Sequence, residues 1–81
     1  MLEPVVIKEI NKNKIASVTL NRPAVFNGYN EELLTSLAVI LAEIEADESI
    51  RAVVLRGAGK HFSAGADINW FKELAVASEA E

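Results

Sequence analysis

Eighty-one residues at 8.8 kDa hold one small domain, 1–81, and leave no room for a second. A formal charge of −4, a pI near 4.9 and the lack of any basic run exclude a nucleic-acid groove. Without cysteine there is neither disulfide nor thiolate chemistry, and one histidine cannot build the usual zinc spacings, so no metal is expected.

The first predicted element is a hairpin. Val5 to Ile10 is β-branched, Asn11-Lys12-Asn13-Lys14 forms the turn with asparagines in the positive-φ positions, and Ile15 to Leu20 returns. Ala16, Val18 and Leu20 share one face and Ser17 and Thr19 the other. Asn21-Arg22-Pro23 ends the strand, because proline cannot donate to a ladder. After a loop over 24–29, Asn30 is placed to cap a helix whose first turn carries Glu31 and Glu32. Leu33, Leu34, Leu37, Ile40, Leu41 and Ile44 make its apolar stripe, and Val39 stands off it.

Ile50 to Leu55 is a nearly continuous apolar run stopped by Arg56-Gly57, the pattern of a strand buried on both faces of a parallel sheet. Strand, helix and strand form a right-handed βαβ unit. A second amphipathic helix runs from Ile68 with Trp70, Phe71, Leu74 and Ala77 on one side, and the chain stops at Glu79-Ala80-Glu81 without a cap, as if cut in mid-helix. The expected fold is therefore α/β, in the order ββαβα. No apolar stretch reaches the ~18 residues of a membrane span, and Met1-Leu2-Glu3-Pro4 lacks a signal-peptide pattern, so a cytoplasmic chain is expected.

Composition adds a tension. The chain is 51% hydrophobic with a mean hydropathy of +0.20. Size scaling nevertheless gives about 4,800 Å² of folded surface against roughly 12,800 Å² unfolded, so only about 63% is buried. Part of the apolar surface is expected to meet a second copy, another partner or a missing part of the chain.

Few residues offer chemistry. Gly57-Ala58-Gly59-Lys60 lacks the spacing and the Ser/Thr of a P-loop, and reads as a strand-to-loop turn. His61 reads as a solvated loop residue, and Ser63 lacks the glycines of a nucleophile elbow. Phe62-Ser63-Ala64-Gly65-Ala66-Asp67-Ile68 is more informative. Gly65 permits positive φ, Ser63, Ala64 and Ala66 allow close approach to the main chain, and Asp67 can cap the next helix. The Ala66 N–H is then free to face a cleft where a developing oxyanion would be stabilised. These residues alone leave two readings open, an anion-friendly turn and a tight strand–helix junction.

Asn21-Arg22-Pro23 with Asn27, then Ala52 to Gly57, then Phe62 to Ile68 closely resemble the crotonase superfamily, the enoyl-CoA hydratases and isomerases, from about Val5 to the last residue. Asn69 to Ala75 looks most like the methylglutaconyl-CoA hydratase branch. The resemblance implies a truncated N-terminal crotonase-like domain of fatty acid metabolism. It implies that the Ala66 N–H is one of two oxyanion-hole donors to an acyl-CoA thioester. Val25, Phe26, Asn27, Ser63, Ala64, Gly65, Asp67 and Ile68 would border the coenzyme A, which arrives on the substrate, so no separate cofactor is implied.

Two departures stand out. Family members usually carry a basic residue before the asparagine and alanine after it, where this chain has Phe26 and Gly28. Phe26 is open to stacking on a ligand base or, as the preferred reading, packing against a partner. The family's second oxyanion donor and its catalytic glutamates come from later sequence; Glu73, Glu79 and Glu81 do not match them and read as solvated helix charges. Two functions follow: the acyl-CoA-binding N-terminal part of an enoyl-CoA hydratase/isomerase, not catalytic alone, or a stand-alone, self-associating, non-catalytic module derived from a crotonase.

Overall fold

The computed structural model describes residues 3–80, with side chains given as far as residue 75. Strands β1 (Val6–Ile10) and β2 (Ile15–Leu20) pair antiparallel. Helix α1 (Glu31–Ala46) crosses to strand β3 (Ala52–Gly57), which lies parallel to β2 at the sheet edge. Helix α2 (Ile68–Ala80) follows the long loop after β3. The ββαβα order of the sequence reading is the observed one.

The hairpin turn works differently from expectation. Asn11 does not adopt positive φ; its Oδ1 instead accepts from the N–H groups of Asn13 (2.9 Å) and Ile15 (3.1 Å). The positive φ, 64°, falls to Lys14. A short polar side chain can brace a turn by accepting its amides, which leaves the left-handed position to another residue.

Alternation in β2 is as expected, and Ala16, Val18 and Leu20 are buried. They meet Val6 from β1 and Leu33 and Ile44 from α1, with Leu37, Ile40 and Val5 packed around them. Leu33 is 1% exposed, so truncating it to alanine would cost about 2–5 kcal/mol. Asn30 caps α1 as expected, its side chain accepting from the Leu33 N–H at 3.0 Å. Lys8 lies on the core face opposite Val18 and reaches out to Glu43 of α1 at 3.3 Å.

Three burial expectations are overturned. Residues Ala52 to Arg56 of β3 are all exposed, Val53, Val54 and Leu55 by 43–48%. The apolar run describes a strand suited to cover on both faces, but α1 packs over β1 and β2, and nothing described lies beyond β3. On α1, Leu34 and Leu41 drop out of the stripe to exposed positions because the sheet beneath the helix is too narrow to meet them. On α2, Ile68, Phe71 and Leu74 are exposed, and among the described apolar side chains of the helix only Trp70 finds cover, edge-to-face on Tyr29 with centroids 6.0 Å apart. The side chains of Ala77, Glu79 and Glu81 lie outside the described residues.

The shape agrees. The radius of gyration is 14.7 Å, against about 11.7 Å for a compact domain of this length. The accessible surface is 6101 Å², well above the roughly 4,800 Å² of the size scaling.

Candidate functional site

The site is a knot of two loops, the one before α1 and the one after β3, tied by Asn27. Pro23–Val25 forms one 3-10 turn, helped by the fixed φ of proline, and Phe26 and Asn27 then take left-handed conformations at φ 55° and 57°. Non-glycine residues rarely do so unless their surroundings over-determine it. Here the Phe26 N–H donates to the Pro23 carbonyl (3.1 Å), and the Phe26 carbonyl accepts from Ala64 (2.9 Å). Asn27 is fully buried. Its Oδ1 accepts from the Arg22 N–H (2.8 Å), and its Nδ2 donates to the carbonyls of Ala58 (2.8 Å) and His61 (2.7 Å). The Ser63 hydroxyl donates to the Asn27 carbonyl (2.8 Å) and accepts from the Gly65 N–H (3.1 Å). That hydroxyl is committed to the turn, giving one hydrogen bond and accepting one.

Gly57 closes the knot. A Cβ there would overlap the carbonyl oxygens of His61 and Phe62 and lie 2.7 Å from the Asn27 Nδ2. The glycine that ends the strand run is thus needed for close approach of the loop.

The turn 63–67 runs beside Tyr29 as a single parallel bridge, Tyr29 with Ala66. The Tyr29 N–H donates to the Gly65 carbonyl (2.9 Å), and the Asp67 N–H donates to the Tyr29 carbonyl (2.8 Å). In this pattern one residue of the pair uses both its groups, and the other turns its own N–H and C=O away. The Ala66 N–H accordingly meets no acceptor among the described residues. Gly65 makes the turn possible at φ 96°.

Ala66 lines a groove of about 340 Å³ together with Ala24, Val25, Phe26, Gly28, Ala64, Asp67, Ile68 and Asn69. Of the residues expected from the sequence, Val25, Phe26, Ala64, Ala66, Asp67 and Ile68 come together on this wall. Asn27 lies behind it as scaffold, and Ser63 and Gly65 face a second, more apolar cavity of about 390 Å³ lined also by Leu33, Leu37, Leu55 and Phe62. Phe26 is 57% exposed at the groove and meets the His61 ring edge-on at 5.1 Å.

Asp67 caps α2, accepting from the N–H groups of Asn69 (2.9 Å) and Trp70 (3.4 Å). The Trp70 N–H, then the Asn69 N–H and the Arg22 guanidinium, hold its carboxyl below the usual value, against an opposing push from burial. Arg22 is the residue that sequence reasoning missed. Asn21-Arg22-Pro23 marks a strand end and part of the family motif in the sequence, but nothing local announces that the Arg22 guanidinium reaches Asp67, 45 residues away, at 3.3 Å.

The family model described as enoyl-CoA hydratase/isomerase matches residues 10–81. A short-chain-enoyl-CoA hydratase of Clostridium acetobutylicum is 45% identical over 64 residues, 78% of this chain and 24% of that protein. A 1,2-epoxyphenylacetyl-CoA isomerase of Escherichia coli is 44% identical over 55 residues, 68% of this chain and 21% of that protein. The crystal structure of an enoyl-CoA hydratase/isomerase from Pseudoalteromonas atlantica superposes with a TM-score of 0.77 at 39% identity, covering 83% of this chain and 27% of the other. The chain therefore spans about a quarter of the length of the relatives it matches.

Proposed function

This chain belongs to the enoyl-CoA hydratase/isomerase family, and from that premise we propose that it forms one wall of an acyl-CoA thioester site, with the Ala66 N–H as an oxyanion donor. The observation that carries the reading is the unpartnered Ala66 N–H on the wall of the groove. A preorganised amide aimed at a carbonyl oxygen stabilises the enolate-like charge that forms there, and one such donor is typically worth about 10²–10³ in rate. The small residues Ala24, Gly28 and Ala64 leave room for a pantetheine arm against the main chain.

The chain binds and polarises but does not complete the reaction. Among the described residues, the one titratable group on the groove wall is Asp67, already held by two amides and Arg22. Proton transfer needs a free acid or base within reach of substrate.

Ala66→Pro removes the donor without touching either bond of the bridge, because the Ala66 N–H serves in neither. Binding of butyryl-CoA to the 81-residue chain should then fall to background while Tyr29–Trp70 fluorescence stays native. Unchanged binding refutes the oxyanion role.

Self-association is a second reading, favoured by the surface of 6101 Å². The excess of roughly 1,300 Å² over a compact domain exceeds the ~800 Å² each partner contributes to a standard interface. The exposed side chains of Val53, Val54 and Leu55, on a strand with an open edge, are where a second copy would add.

A further inference from the structure

We infer that Arg22 is a positioning residue for the Ala66 N–H, acting as a staple across the single bridge that aims it. The role rests on the proposed thioester reading. The bridge between Tyr29 and Ala66 consists of only two backbone hydrogen bonds, at 2.9 and 2.8 Å, with no flanking ladder. Two isolated bonds of this kind are marginal in water. Yet their direction decides whether the Ala66 N–H faces the groove.

Arg22 holds both strands of that bridge at once. Its Nη1 donates to the carbonyl of Gly28, the residue before Tyr29, and lies 3.3 Å from the carboxylate of Asp67, the residue after Ala66. The two side chains are only 20% and 16% exposed, so the contact is poorly screened. Charge-assisted donors are the stronger class of hydrogen bond. At its other end Arg22 is fixed by Asn27, whose Oδ1 accepts the Arg22 N–H and whose N–H donates to the Arg22 carbonyl, both at 2.8 Å. The buried knot thus orients the arginine, the arginine clamps the bridge, and the bridge turns the amide outward.

The test compares the wild-type chain with Arg22→Gln and Arg22→Lys by two readouts, backbone amide order from 15N relaxation and the dissociation constant for butyryl-CoA. In Arg22→Gln the order parameters of Ala66 and Asp67 should drop from the rigid range near 0.85 to below about 0.6, with those of Ala16 and Val18 unchanged. Affinity should weaken about tenfold or more. Arg22→Lys, with a charge but no planar fork, should restore part of both. Retained order at Ala66, unchanged affinity, or loss of order spread equally through β2 each overturns the inference. Failure of the wild-type chain to bind butyryl-CoA overturns the proposed function instead, and the amide order still decides the role of Arg22.

Discussion

The amide of Asn27 occupies the space that any side chain at Gly57 would need, 2.7 Å from where its Cβ would stand. Close approach at one position and full hydrogen bonding at the other are one arrangement. Asn27→Ala strands the Ala58 and His61 carbonyls and the Arg22 N–H. Leaving a buried polar group unpaired costs about 1–3 kcal/mol, so urea denaturation should show a loss of at least that size. Gly57→Ala forces the loop at 61–62 outward, and overpacking of this kind costs about 1–3 kcal/mol or more. A denaturation midpoint unmoved in both variants would contradict the knot.

Acid should weaken the fold through two carboxyls. Asp67 is held low chiefly by the Trp70 N–H, and Asp47 chiefly by the Ser49 hydroxyl and then the Ser49 N–H. Because both folded values lie below the ordinary 3.8, their stabilisation is present above the unfolded value and is lost as pH falls through the folded one. Urea midpoints should hold steady above about pH 5 and decline below about pH 4. Asp67→Asn keeps a capping oxygen but no titration, and should flatten part of that decline. An acid slope identical to wild type would rule out the Asp67 contribution.

Gly65→Ala isolates backbone strain. Nothing lies within 4 Å of the Cβ it would introduce, so sterics with neighbours are not at issue. The φ of 96° remains, and holding an alanine there costs about 1–3 kcal/mol. Thermal denaturation should show that loss, and butyryl-CoA binding should weaken with it as the turn relaxes. Equal stability would mean that the turn is not strained.

No turnover of crotonyl-CoA is expected from the purified chain. The donor proposed at Ala66 has no free proton-transfer group beside it on the described groove wall, and a missing acid–base group typically removes about 10²–10⁴ in rate. Sustained loss of enoyl absorbance above a heat-treated control would overturn this.

Sedimentation should find the chain associated at micromolar concentration. Val54 lies on β3 opposite Ser17, away from the α1 core, and is 48% exposed. Val54→Lys should therefore shift the population toward monomer without unfolding it, since a charge on an edge strand opposes pairing. A monodisperse 8.8 kDa species in the wild type would refute self-association.

The sequence alone determined those features whose causes lie within a few residues. Alternation in Ile15–Leu20, the Asn30 and Asp67 caps, the glycine turn at Gly65 and the order of elements all follow from local periodicity and nearest backbone partners. The family resemblance also lay in contiguous motifs. Tertiary structure alone decided the rest. Whether Val53, Val54 and Leu55 are covered depends on what lies beside β3, and an apolar run expresses only a preference for cover. Whether Arg22 serves the site depends on Asp67, brought to it across 45 positions by the crossover of α1 and the return of β3. Asn27 is polar in composition but buried in fact, because two loops converge on an amide with enough donors and acceptors to satisfy them. Long-range contacts of single side chains are set by how the loops pack together, which local residue patterns do not encode.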